Sequence, residues 1–255
     1  MFDFLKSSRR DQLRAKSFPK AWLAIISRNV PLYRLLTPEQ QRLLRGHVQV
    51  LIAEKKFEGC RGLRINDEIR VTIAAHAALL MLGGKPHYYP FLDVILVYPT
   101  AFMVRAKRSV AGGTSEATIP MLGEAWADGA VILSWDHALK QARNRRGRNN
   151  VLLHEFAHQL DMEDGATDGT PVLERKAWYA TWVQALKPEF DRLVANPRKG
   201  FLEPYAATNP AEFFAVATEV FFQAPYALKR HHPRIYAELS RFYGLDLARH
   251  RNRPA

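Results

Sequence analysis

Apolar positions first recur at helical spacing through Leu43, Leu44, Val48, Leu51 and Ile52. Just upstream, Thr37-Pro38-Glu39-Gln40 combines a capping threonine, a proline suited to a first helical turn and a glutamine that completes a capping box. A helix is therefore predicted to open at Thr37. His47 lies beside its apolar stripe and reads as a helix-surface histidine or a satisfied core histidine. A second helix is predicted over Ile69 to Leu82, ended by Gly83-Gly84. The period then changes. Val94 to Tyr98 is a continuous apolar run stopped by Pro99, the pattern of a buried strand. Gly112-Gly113 marks a turn, and Asp128-Gly129 signals a hairpin ahead of a strand over Ala130 to Trp135. After Gly147 the pattern is helical again, at 149–163, 173–195, 210–223 and 233–243. Sheet in the middle and helices after it predict an α+β fold.

Composition narrows the class. Apolar residues make up 47% of 255 positions, enough for a substantial core and against wholesale disorder. The single cysteine, Cys60, excludes an internal disulfide framework. The N-terminal segment is polar and charged where a secretion signal needs an apolar stretch, and no apolar run has membrane-spanning length. A cytoplasmic protein is expected. No internal repeat or low-complexity tract divides the chain. The expected organisation is a basic N-terminal arm over 1–20, either mobile or a surface helix, whose Phe2, Phe4 and Leu5 could dock on the body. One domain over 21–245 and a basic tail over 246–255 follow.

The formal charge of +12 is gathered in knots: Arg143, Arg145, Arg146 and Arg148, then Lys229 to His232, then Arg249 to Arg253. No aromatic-interleaved RNA motif or recognition helix accompanies them. They read as a solvated basic surface, and nucleic acid is not expected as a partner.

The chemistry sits at residues 154 to 158, His-Glu-Phe-Ala-His. Residues four apart share one face of a helix, so His154 and His158 can meet one tetrahedral zinc. Glu155 points to the flank of that face, where it can act as a proton acceptor. Val151, Leu152, Leu153 and Phe156 bury the helix around it. Two histidines and a glutamate inside an apolar helix would be costly without a partner.

A catalytic zinc needs a third protein ligand and an open position. One candidate is Asp164, ten residues after His154. The longer zinc motif that uses that position needs a glycine where this chain has Asp161. The others are Glu212 and Glu219, seven apart on the helix opened by Asn209-Pro210 and so on one face. Glu212 could instead cap the helix, and Glu219 could hold a ligand histidine from behind. Spacing leaves these open.

The run from Asn150 to Asp161 and the run from Tyr205 to Phe222 resemble the Mlc titration factor A family of bacterial zinc peptidases. Val94 to Pro99 and Gly123 to Trp135 resemble it too, and the similarity extends over about residues 20 to 243. The resemblance implies a zincin-type fold like that of anthrax lethal factor, with a small mixed sheet before a helical half that carries the zinc helix. It implies zinc on His154, His158 and Glu212, Glu155 as catalytic base, and Tyr205 as the group that stabilises the tetrahedral intermediate. It also implies aminopeptidase-type activity, and binding of the repressor Mlc, which governs sugar uptake. An extended substrate is expected to pair along a sheet edge, at 123–126 or along the strand from Ala130.

Overall fold

The computed structural model describes residues 2–84, 86, 88–110, 113–121, 123–126 and 129–249, with backbone alone at 2–5, 102–110, 113–121, 124–126 and 199. In chain order the helices and strands are α1 (Phe2–Ala15), α2 (Lys20–Asn29), α3 (Pro38–Glu54), β1 (Lys56–Gly59), α4 (Asp67–Leu79), β2 (Val94–Tyr98), β3 (Phe102–Val110), β4 (Gly113–Met121), β5 (Gly123–Trp126), β6 (Ala130–Ser134), α5 (Trp135–Arg143), α6 (Val151–Asp161), α7 (Lys176–Ala195), α8 (Pro210–Gln223), α9 (Pro225–His231) and α10 (Pro233–Tyr243). The fold is α+β and mostly helical, as the sequence predicts. No helix among the described residues is long and apolar enough to cross a membrane.

Local signals set the helix starts. The capping box of α3 is formed in both directions, with the Gln40 amide donating to Thr37 Oγ1 at 3.2 Å and the Thr37 amide to Gln40 Oε1 at 2.9 Å. α4 opens two residues before the predicted start because Asn66 accepts from the Ile69 amide at 2.9 Å. His47 is buried and hydrogen-bonded to Tyr88, so the core reading of that residue holds.

The main sheet runs β1-β2-β6-β5. β1, β2 and β6 are parallel, and β5 returns antiparallel on β6 with Gly123 opposite Leu133 and Trp126 opposite Ala130. Gly129, in the turn before β6, has φ of 84°, which favours glycine. All five residues of β6 are buried. β6 lies between β2 and β5, so it cannot offer an edge to a substrate, whereas β5 can. The strand also ends one residue early, since Trp135 starts α5. β3 and β4 form a separate antiparallel hairpin, with Val110 opposite Gly113. Gly112 and Asp128, named in the predicted turns, lie outside the described residues, as do the side chains of Phe2, Phe4 and Leu5.

α6 packs between the sheet and α8. An aromatic cluster fixes α8 from its far side. Trp182 of α7 meets Phe214 of α8 and Phe242 of α10, at ring separations of 5.7 and 5.6 Å. The indole N–H of Trp182 donates to Gly169 O at 3.1 Å, and the Gly169 amide donates to Asp161 at 3.0 Å. Gly169 has φ of 79°, and a Cβ there would collide with Pro210 O. This loop therefore links the end of α6 to the first turn of α8.

Candidate metal centre

The two helices meet where their polar side chains are. Asn150 caps α6 by accepting from the Leu152 and Leu153 amides at 3.1 and 3.3 Å. α8 starts in the same way, with Asn209 accepting from the Glu212 amide at 2.9 Å and Pro210 in the first turn. His154 and His158 thus project from one face of α6 toward Glu212 in the first turn of α8.

Three atoms converge. His154 Nε2 lies 3.2 Å from His158 Nε2 and 3.0 Å from Glu212 Oε2, and His158 Nε2 lies 3.4 Å from Glu212 Oε2. A tetrahedron with arms of about 2.0–2.2 Å has edges of about 3.3–3.6 Å. The triangle thus matches three corners of a zinc-sized site to within a few tenths of an ångström. The donor set, two imidazoles and a carboxylate, also suits zinc. His154 has its Nδ1 committed to Glu219 Oε1 at 2.7 Å. In its neutral form Nε2 therefore turns a lone pair toward Glu212. Glu212 Oε2 is buried and accepts no well-aligned hydrogen bond among the described residues. A single cation at the centre of the triangle, a proton or a zinc ion, would satisfy all three atoms.

The electrostatics agree. Burial alone would lower the His154 pKa, but Glu212 and Glu219 outweigh it and hold it well above the ordinary value. Burial would raise Glu212, and the two histidines outweigh that and hold it far below the carboxylate range.

The alternatives separate cleanly. Glu219 lies behind His154, with one oxygen on His154 Nδ1 and the other accepting from the Asn150 amide. It orients the ring and also ties down the start of α6. Asp164 lies on the turn after α6, accepts from the Ala166 amide at 2.9 Å, and is not part of the cluster.

Glu155 is buried on the flank of the same face. β5 passes so close that a Cβ on Gly123 would overlap both Glu155 and Val151. Tyr205 sits on the short turn Pro204–Ala207, its ring 6.1 Å from His154 and half exposed. Burial first, and then Glu212, to which its hydroxyl is hydrogen-bonded, raise its pKa and keep it a proton donor.

Gly123 was expected in the substrate edge at 123–126, but its close approach to Glu155 was not. Two further residues were not singled out by the sequence. Gln159 is one helical turn beyond Glu155. Asp161, weighed only as a missing glycine, is fully buried, and burial pushes its carboxyl up to about 6 despite the Gly169 amide. A buried aspartate at a helix end is a signal that could have been followed.

An uncharacterized protein of Synechocystis is 39% identical over 93% of this chain and 88% of its own length. Mlc titration factor A of Yersinia pestis and that of Yersinia pseudotuberculosis are each 31% identical, over 86% of this chain and 82% of theirs. The model of the glucose-regulated metallo-peptidase M90 family matches residues 5–244, and the chain belongs to that family.

Proposed function

We propose that the protein is a zinc-dependent peptidase of the cytoplasm, aminopeptidase-like in action, with one catalytic body over 21–245. The convergence of His154, His158 and Glu212 supports this most strongly. These three residues would hold the zinc. When bound, the metal supplies Lewis-acid polarisation of the peptide carbonyl and acidifies a water. Glu155, beside the ligand face, accepts the proton of that water and passes it to the leaving amine. The Tyr205 hydroxyl, kept protonated, donates to the oxygen on which negative charge develops, a contact worth about 2–4 kcal/mol when well aligned. Glu219 fixes the His154 ring. The substrate chain pairs with β5, the sheet edge that runs against Glu155.

Glu155→Gln tests the reading. It should retain zinc and lose at least about a hundredfold in kcat on short amino-acid amides, the scale of lost general-base catalysis. Full turnover would overturn it.

A second role is compatible with the first. The Yersinia relatives carry the name Mlc titration factor A, and this chain would in that role sequester the repressor Mlc. Co-purification with Mlc tests it, and metal-free protein shows whether zinc contributes.

A further inference from the structure

The two histidines of the centre are not equally secured. His154 has its second ring nitrogen, Nδ1, on Glu219 Oε1 at 2.7 Å. His158 turns Nε2 toward the same centre, 3.4 Å from Glu212 Oε2, but its Nδ1 is buried and has no hydrogen-bond partner among the described residues. A neutral imidazole that offers Nε2 to a metal carries its proton on Nδ1. That N–H is a buried donor, and buried donors are paired in nearly all folded proteins. The nearest backbone acceptor is not used. His76, also inside a helix, donates Nδ1 to Thr72 O, four residues back, at 2.9 Å. The equivalent bond from His158 to His154 O is not formed.

Asp161 supplies the matching acceptor. It follows His158 by three residues and His154 by seven, so all three share one face of α6. A helical side chain leans back over the turn before it, which carries the Asp161 carboxyl toward His158. Asp161 is fully buried, and its Oδ1 also has no hydrogen-bond partner among the described residues. His158 is among the groups whose charge acts on this carboxyl. A donor and an acceptor, each buried and unmatched, thus lie one turn apart on one face. The other oxygen, Oδ2, accepts from the Gly169 amide at 3.0 Å, in the loop that meets Pro210 at the start of α8. Glu219 has the same construction, with one oxygen on His154 Nδ1 and the other on the Asn150 amide at the start of α6. Glu219 grips one ring and one helix start, and Asp161 is placed to do the same for the other pair.

We propose that Asp161 is the positioning residue for His158. This rests on the zinc-site reading. Asp161 Oδ1 accepts the Nδ1 proton, directly or through one water, and so holds the tautomer that turns Nε2 to the metal. Asp161→Asn tests it. The asparagine keeps its carbonyl oxygen for the Gly169 amide, which leaves an NH₂ toward His158 and no acceptor for Nδ1–H. Zinc affinity, measured by competition with a chromogenic chelator, should fall by about 10–100-fold. A role confined to the Gly169 loop would instead lower the denaturant midpoint of metal-free protein and leave zinc affinity unchanged, and that outcome would overturn the proposal. The wild type reads the contact without any variant. A crystal structure of the zinc-loaded protein should place Asp161 Oδ1 within hydrogen-bond reach of His158 Nδ1, or of one water bonded to both. Nδ1 bonded to any other group would overturn the proposal even if Asp161→Asn does not fold. Wild type that takes up no zinc would overturn the metal centre itself, whereas zinc-loaded wild type with no such contact would overturn only the role of Asp161.

Discussion

Among the described residues, two pairs of histidines are held in opposite ways. In the α3–α4 region, His47 Nδ1 meets the Tyr88 hydroxyl at 2.8 Å, and His76 Nδ1 donates to Thr72 O at 2.9 Å. Their partners are neutral. Burial, joined at His47 by Arg14, lowers both pKa values to about 4. In the α6–α8 region, His154 is partly buried, its side chain 13% exposed, and faces two carboxylates, which raise it instead. Burial alone does not make a histidine a ligand. The charge of what surrounds its nitrogens does, together with a second imidazole 3.2 Å away.

The largest test of that contrast is acid. His47 and His76 are neutral when folded and charge readily when unfolded. With folded pKa values near 4 against an unfolded value of about 6.5, their stabilisation is complete above pH 6.5 and is lost as pH falls toward 4. The loss should reach about 2–3 kcal/mol each by pH 4.5. Denaturant unfolding with excess chelator measures it, and His76→Gln should remove its share of the slope. An unchanged slope would break the comparison. His154 has the opposite sign in metal-free protein. Its contribution is present at low pH and lost as pH rises through its raised pKa, and metal must displace that proton, so zinc should be released in acid.

A smaller effect sharpens the same point. Glu219→Gln removes the charge behind His154 and keeps the shape of the side chain. Zinc affinity should fall by about 10–100-fold, as measured by competition with a chromogenic chelator. An unchanged affinity would reduce Glu219 to a capping residue of α6.

The sequence carried much of this. The capping box at Thr37, the strand from Val94 and the zinc helix were readable because each is a local pattern. The choice between Glu212 and Glu219 was not, because residues seven apart share a helix face. Only the position of the ring separates them, with Glu212 at Nε2 and Glu219 at Nδ1. β1 was missed because it is four residues long and carries Lys56 and Glu58, and α5 because Ser134 makes no capping bond to announce it. α9 is seven residues between two prolines, Pro225 and Pro233. β3 and β4 carry Arg105, Lys107, Arg108 and Glu116 among their residues, so no apolar run marks them. Gly123 was expected as part of a substrate edge, but its second role, leaving room for Glu155, was not legible because nothing local in the sequence shows it.

The central claim is that His154, His158 and Glu212 form one zinc site, and elemental analysis of purified protein tests it most directly. The account predicts about one zinc per chain in the wild type and in His76→Gln, and loss of zinc in His154→Ala and in Glu212→Ala. Full zinc in Glu212→Ala, or none in the wild type after zinc is supplied, would contradict it.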